Sequence, residues 1–435
     1  MSMSADVAVV GAGIMGCSIA LELSRRGRRV LVLDLAAAPG EGSTSASSAI
    51  VRFNYSTAAG VVAAWESSRH WVGWQDHLGT RDANGLARFR RTGMVCLDVP
   101  VLPRADALRP LGEIGVPYEE LDPVELVDRF PWLDNGSYWP NKRVTDEAFW
   151  SGPTGRLGGF WTPDAGFVDD PRLATQNLAA AARATGAEFR FRSPVVGLHG
   201  GPRESWVLEL GGGERVEAGV VVNAAGPWSS ALNRLAGVGD EFTVRVRPMR
   251  QEVHEVPAPE GYSSDGHWGP AVADLDLGTY WRPGPHNTLL IGGTEPECDG
   301  FEWLDDPDAA GPTVTRLRYE AQVTRAARRL PGLRVPPRPR GVAGVYDVAE
   351  DWTPIYDRTD APGFYVAMGT SGNQFKNGPV VGGFLAAIIE HVEGGHDHDV
   401  EPAHHRGELT GLDIDLGAFS RKRPRNRASS GTVLG

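Results

Sequence analysis

Between Asp6 and Asp34 the chain lays out a strand, a glycine turn, a helix and a second strand, in the order of a nucleotide-binding βαβ unit. Val7 to Val10 form a short apolar run, as expected of a strand buried on both faces of a parallel sheet. Gly11, Gly13 and Gly16 follow at Gly-x-Gly-x-x-Gly spacing. In such a unit the glycines allow a tight turn, close backbone approach to a pyrophosphate, and close helix–strand packing. Ile14, Cys17 and Leu21 recur on one helical face, and Gly27 stands where the helix should stop. Val30 to Leu33 form the second strand, and Asp34 ends it, placed to hydrogen-bond a ribose hydroxyl. Because strand, helix, strand and acid fall in order, the pattern predicts dinucleotide binding. A bare glycine-rich turn would lack the rest.

The composition sets outer bounds. The 435 residues are 41% hydrophobic and 23% charged, a globular balance with length for two substantial domains. A formal net charge of −12 implies no basic face, which argues against nucleic acid as a partner. Cys17, Cys96 and Cys298 lie far apart, with no disulfide framework or zinc spacing. That usage suits a reducing compartment, so a cytoplasmic location is expected. The apolar start lacks the basic region of a signal peptide, and no run approaches the eighteen or so apolar residues needed to span a membrane. Of 43 basic residues only Lys142, Lys376 and Lys422 are lysines, so each retained lysine invites a specific role.

After Asp34, residues 42 to 49 are small and polar, Ser43, Thr44 and Ser48 among them, and suit close approach of backbone to a bulky ligand. A helix is expected at about 58 to 78 and a strand at Met94 to Leu97. Residues 99 to 158, rich in Pro, Gly and Trp, read as a first visit to a second domain plus an irregular insertion over 134 to 158. A turn-rich stretch, Gly159 to Val168, leads to a helix from Pro171 to about 185, begun by Asp170-Pro171. Strands are expected at Glu188 to Arg192, Val207 to Leu210 and Val216 to Val222, with Val195 and Val196 between the first two. The last runs into Asn223-Ala224-Ala225-Gly226-Pro-Trp228, small residues that leave room for a cofactor at the sheet's carboxyl edge. Phe242 to Met249, Gln251 to Val256, Gly278 to Arg282 and Thr288 to Gly292 predict an antiparallel sheet, closed by a helix at about 312 to 329. Strands return at 341–346, 354–356 and 364–368. Then come Gly369-Thr-Ser-Gly372-Asn373-Gln374-Phe375-Lys376 and an apolar helix from about Pro379 to Val392. The stretch after Gly394 is rich in His, Asp and Arg. It reads as a solvated tail, and His396, His398, His404 and His405 fit no metal spacing.

As a set, the N-terminal fingerprint, Ala225-Gly226-Pro-Trp228, Tyr280-Trp-Arg-Pro283, and the ending Tyr346…Asp351-Trp-Thr-Pro…Gly369-Thr-Ser-Gly372 resemble the D-amino acid oxidase superfamily. The nearest branch is that of monomeric sarcosine oxidase, sarcosine dehydrogenase subunits and glycine oxidases. The resemblance covers roughly residues 5 to 392. It implies FAD, and an α/β Rossmann-like FAD domain interrupted in sequence by a substrate domain on a mainly antiparallel sheet. The expected bounds are 1–95, 159–240 and 336–395 for the FAD domain, 96–158 and 241–335 for the substrate domain, and 396–435 for a C-terminal tail. The implied cofactor contacts are Gly11, Gly13, Ile14, Met15, Gly16, Asp34, Ser43, Thr44, Ser48, Val195, Val196, Ala225, Gly226, Trp228, Tyr346, Gly369, Gly372, Asn373, Gln374, Phe375 and Lys376.

In the sarcosine oxidase branch an arginine and a lysine hold the substrate carboxylate. The matching segments here are Ile50-Val51-Arg52-Phe53-Asn54-Tyr55 and Ser371-Gly372-Asn373-Gln374-Phe375-Lys376. A guanidinium offers a carboxylate two parallel bonds and an ammonium adds point charge. Tyr55, Tyr280 and Trp281 are candidates for an aromatic wall. The chain departs from the branch in three ways. Where many members join FAD to a cysteine it has Val345-Tyr346, and its first histidine, a residue type other relatives use, is His70. Non-covalent FAD is therefore expected. It lacks the carboxylate arginine that glycine oxidases carry near Tyr346. No lysine lies between Lys142 and Lys376, so the lysine that speeds reaction with oxygen, expected near Leu290, is missing.

The expected reaction is oxidation of a C–N bond in a small amine carrying a carboxylate, by hydride transfer to flavin N5 and hydrolysis of the imine. An electron-carrier protein stands beside oxygen as acceptor. A flavin-binding subunit active only with a partner is the alternative of another class. A nicotinamide-dependent dehydrogenase fits less well, because the Gly226 and Gly369 motifs suit a flavin across the sheet edge.

Overall fold

The computed structural model describes residues 3–201, 204–263 and 267–434; residues 1, 2, 202, 203, 264–266 and 435, which the expected domain bounds include, lie outside. The opening strand, Met3–Val10, is the hub of the first sheet. It pairs in parallel with Val30–Leu33 on one side and Arg215–Asn223 on the other. Glu188–Arg190 extends the sheet beyond Val30–Leu33. The long strand Arg215–Asn223 serves two neighbours. Its first half pairs with the antiparallel strand Glu204–Leu210, which in turn pairs with Val195–Gly201, and its last three residues pair in parallel with Phe364–Met368. Both faces of the opening strand are covered. Val7 and Val9 join the core beneath helices Ile14–Arg25, Pro171–Ala184 and Gly378–Glu393, while Ala8 and Val10 face a second core with Leu208 and Phe364. That two-sided burial explains a continuous apolar run instead of alternation.

The second sheet has eight strands in the order Gly341–Ala349, Val246–Pro257, Thr288–Gly293, Thr279–Gly284, Ala271–Asp274, Met94–Leu97, Gly159–Thr162 and Glu119–Leu121. Every pairing is antiparallel except that of Ala271–Asp274 with Met94–Leu97. Helix Arg316–Arg329 packs on strands of this sheet. Together the two sheets give the α/β-plus-antiparallel architecture read from the sequence. Met94, Val95 and Gly341–Ala349 hydrogen-bond within the second sheet, although the sequence bounds gave them to the nucleotide domain. Apolar alternation reports a strand, not which sheet it joins.

Other boundaries also moved. The helix expected over 58–78 breaks at Gly73 into Ala58–Val72 and Trp74–Leu78. The two strands expected over 242–256 are one, Val246–Pro257. The region 99–158 holds two helices the sequence reading passed over. Arg104–Ile114 carries Pro110 inside it, and Pro123–Arg129 is opened by a capping box of Asp122 and Glu125. One buried knot fixes the following loop. Arg329 pairs with Asp274 and Asp276, all fully buried, and donates to the carbonyls of Asp134 and Gly136, while the Asp276 carboxylate accepts from the Tyr138 and Trp139 amides.

Residues 396–434 are not a solvated tail. His404–Arg406 pairs with Asp413–Asp415, and Ile414, Leu416, Phe419, Arg421 and Arg423 are buried. The arginines neutralise the buried Asp351 and Asp357 from strand Ile355–Arg358 and the loop before it, together with Asp399 of the same late stretch. Arg421 bonds Asp357 at 3.0 Å and Asp399 at 2.7 Å, and Arg423 bonds Asp351 at 2.9 Å. His398 is buried, with its Nδ1 accepting the Ala403 amide at 2.9 Å, and His404 bonds Asp413 at 2.6 Å. Among the described residues no helix is long and apolar enough to cross a membrane.

Glu66, buried in helix Ala58–Val72, ties this late stretch to the body. Its carboxylate accepts from the Leu409 amide, the Thr410 amide and the Thr410 hydroxyl at 2.9, 2.8 and 2.6 Å, and lies 3.2 Å from His70 Nε2. Burial works against the charge, but the hydrogen bonds from His70, Thr410 and Leu409 outweigh it and bring the carboxyl from 4.5 to about 2. The pKa is depressed, so its stabilisation is complete above pH 4.5 and is lost as pH falls toward 2. We expect Glu66→Gln to lower stability near neutral pH by up to about 3 kcal/mol, and the deficit to shrink on acidification over that window, as read by urea midpoints at several pH values.

Candidate active site

A long cleft runs along the carboxyl ends of Met3–Val10, Val30–Leu33 and Arg215–Asn223. Gly11, Gly13, Ile14, Met15, Asp34, Ser43, Thr44, Val195, Ala225, Gly226, Trp228, Tyr346, Gly372, Gln374 and Phe375 line it. The glycines are needed sterically. Gly11 has φ +110°, and a Cβ there would lie 2.3 Å from the Ala224 carbonyl oxygen. Gly16 does not line the cleft; a Cβ on it would meet the Gly11 carbonyl oxygen at 1.9 Å, so it lets helix Ile14–Arg25 close on the turn. The Asp34 carboxylate accepts the Ala12 amide at 2.5 Å and the Ala36 amide at 2.7 Å. A carboxylate has about four acceptor positions, so it can still take ribose hydroxyls.

Besides Gly16, five expected contacts lie elsewhere: Val196, Gly369 and Ser48, and also Asn373 and Lys376, which line a second, smaller cavity. The Val196 side chain is exposed and outside the cleft lining. Gly369, at φ +67°, packs against Ala349 and Val246. Ser48 faces the second cavity and bonds the Tyr280 hydroxyl at 2.9 Å.

That second cavity adjoins the cleft. The two share Ser47, Tyr346, Gly372 and Phe375 as walls. Gly372 is required here, because a Cβ would meet the Tyr346 ring at 2.3 Å. Arg52, Tyr280, Asn373 and Lys376 also line the cavity, and both cations are almost fully buried, at 4% and 2% exposure. Arg52 leaves strand Ile50–Val51 and bonds the Asn54 carbonyl and, at 2.6 Å, the Val433 carbonyl. Lys376 sits in the short helix Phe375–Asn377. Its Nζ donates to the Tyr55 hydroxyl at 2.7 Å and to the Asn373 carbonyl. Among the described residues neither cation has a carboxylate partner. Burial, with Arg52 nearby, holds the Lys376 ammonium well below its usual range.

The lysine is set by its backbone. The Lys376 carbonyl accepts from the Ser67 hydroxyl and from Trp71 Nε1 at 2.6 Å, while Phe375 stacks on Trp71 at 5.5 Å. Tyr55 is thus a holder of Lys376 and does not line this cavity. Trp281 is not part of the wall. In strand Thr279–Gly284 side chains alternate, so Tyr280 faces the cavity and Trp281 the opposite core with Val95, Ile291 and Val323. The sequence reading missed three residues here. Val433 and Leu434 line the cavity. Glu295, half-buried with φ +51°, accepts the Val433 amide at 3.0 Å, and desolvation of its carboxyl pushes it up to about 8 against the pull of that amide and Arg318. Two apolar residues in a stretch read as solvated gave no signal of this role.

The cleft fits FAD on this geometry. Glycines admit a pyrophosphate against the N-terminus of helix Ile14–Arg25, an acid stands at the second strand's end, and the far end opens on the cationic cavity. No cysteine or histidine is among the lining residues. Over 423 residues the chain is 26% identical to FAD-dependent oxidoreductase domain-containing protein 1 of Xenopus laevis, covering 90% of this chain and 80% of that protein. It is 25% identical to a glycine oxidase of Geobacillus kaustophilus (strain HTA426), covering 90% and 94%. In fold it matches the crystal structure of L-proline dehydrogenase from P. horikoshii with a TM-score of 0.74 at 21% identity, over 97% and 98% of the two chains. The model of the DAO family, FAD dependent oxidoreductase, matches residues 6–388, and with the glycine turn, the strand-end acid and the cleft beneath them it places this chain in that family.

Proposed function

We propose that this FAD-dependent oxidoreductase oxidises the C–N bond of a small amine bearing a carboxylate, a sarcosine-like N-alkyl amino acid or an amino acid, to an imine that water then hydrolyses. The observation that carries this reading is the pair of buried cations, Arg52 and Lys376, without an acid partner among the described residues, in a cavity that shares walls with the FAD cleft. An unpaired buried charge is costly, and a substrate carboxylate would relieve two at once. Two relatives bear names, glycine oxidase and L-proline dehydrogenase, whose amino acids carry that carboxylate.

FAD, when bound, supplies the hydride acceptor. The chain's own residues position and discriminate. Arg52 and Lys376 grip the carboxylate and so aim the carbon that bears the amine. Tyr280 and Tyr346 form the aromatic side of the cavity. The amine must be neutral to release hydride, which favours higher pH.

Passage of electrons to a carrier protein is the second reading of the acceptor. Thr288–Gly293 holds no lysine, and Lys142 is engaged with the Tyr138 and Pro140 carbonyls at 2.9 Å each. Anaerobic addition of N-methyl amino acids should bleach the flavin band. Slow return of the band in air, and fast return with an artificial electron acceptor, would favour the carrier.

Arg52→Gln and Lys376→Met should each raise KM for a carboxylate-bearing amine about 10- to 100-fold, the loss of one charge-assisted bond, while the flavin spectrum stays intact. Wild-type KM in both variants would refute the clamp. Acetate, which has no amine to titrate, should bind more weakly as pH rises, because Lys376, with its depressed pKa, loses charge before an ordinary lysine would. Calorimetric titration of Lys376→Met should show weaker binding with that slope removed.

A further inference from the structure

Residues 432–434 do two things at the amine subsite. Val433 and Leu434 form part of its wall, and the Val433 backbone bridges the buried Arg52 and the half-buried Glu295. Its carbonyl accepts Arg52 Nη2 at 2.6 Å, and its amide donates to Glu295 Oε2 at 3.0 Å. With these residues in place the cavity has about 40 Å³ of free space. One water needs about 10–15 Å³ of such space, so the cavity as it stands has room for a few waters and not for an amino acid. The carbonyl on Arg52 is also the atom a substrate carboxylate oxygen would replace.

We propose that residues 432–434 are a movable wall of the amine subsite, in which the Val433 carbonyl stands in for the substrate carboxylate on Arg52 and gives way to it on binding. This rests on the carboxylate reading of Arg52. Three features of the surroundings favour movement over permanence. The polar hold is slight: among the described residues, the Val433 backbone has one bond to each of two side chains, and packing of Val433 and Leu434 supplies the rest. Glu295 has a backbone φ of +51°, rare for a residue with a side chain, and its Oε1 is buried without a partner. Upstream the chain is firmly pinned, Arg423 being paired with Asp351 and bonded to the Thr353 carbonyl at 2.7 Å, so movement can be confined to the stretch after it. The exchange is conservative in charge-assisted bonds, since Arg52 trades a neutral acceptor for an anionic one and gains. Until that exchange, binding is weakened by the fraction of molecules with the wall in place.

The test is hydrogen–deuterium exchange on the FAD-loaded full chain with and without saturating acetate, beside calorimetry of the same binding. Ligands ordinarily slow exchange where they bind. Here acetate should speed exchange across 430–434 in the wild type, and Leu434→Ala, which loosens the wall, should bind acetate several-fold more tightly. If acetate binds yet exchange at 430–434 is unchanged or slower, the movable wall is wrong and the clamp stands. If acetate binds Arg52→Gln as well as wild type, or fails to bind wild type, the clamp reading falls and the wall with it. Glu295→Leu, which removes the acceptor of the Val433 amide, gives an independent variant. Tighter acetate binding than wild type supports the wall, and equal or weaker binding in both variants overturns it.

Discussion

Two stretches of backbone meet at Gly11 and Ala224, closer than any side chain would allow. The opening strand must end in a turn there because it lies between two parallel neighbours whose carboxyl ends finish at the same level, Leu33 on one side and Asn223 on the other. From that crowding the rest follows. The turn feeds helix Ile14–Arg25 back across the sheet, Asp34 lands beside it, and the small residues after Asn223 complete the floor of the cleft. Substitution at Gly11 would push apart the two strands that also deliver Phe364–Met368 and, beyond it, the loop carrying Lys376.

Charge is handled in two opposite ways. Arg421, Arg423 and Arg329 are buried against aspartates, so their desolvation is offset locally. Arg52 and Lys376 are buried just as deeply, but carbonyl and hydroxyl oxygens are their described partners. Such dipoles offset only part of the cost of burying a charge. The fold meets the remainder through packing, with Trp71, Phe375 and Ser67 fixing the lysine's backbone so that its side chain cannot retreat to water. A chain that uses arginine almost everywhere keeps a lysine at this point, where a compact head on a flexible stem fits beneath Tyr55.

The cleft was legible because its requirements are local. Glycine spacing, an apolar strand and a terminal acid all fall within thirty residues. Arg52 and Lys376 were legible through short segments that matched a known pattern, and the structure brings them to one cavity. Trp281 was misread because neighbours in a strand face opposite ways, and the sequence gives no sign of which face is which. The stretch from 396 was misread for a deeper reason. Its arginines look solvated in isolation, and the acids that bury them, Asp351 and Asp357, sit some tens of residues earlier. Val433, Leu434 and Glu295 meet only in three dimensions, so periodicity had nothing to report.

The knot at Arg329 sets how the loop over 134–141 responds to its surroundings. Two carboxylates face one guanidinium, and burial with Asp274 alongside raises the Asp276 carboxyl while Arg329 and the Tyr138 and Trp139 amides pull it down. Surface pairs such as Arg26 with Glu390 are screened by dissolved ions, whereas the pairs at Arg329 are fully buried, where those ions do not reach. Concentrated salt will therefore loosen the outer ties of this protein while leaving that loop in its place on the sheet.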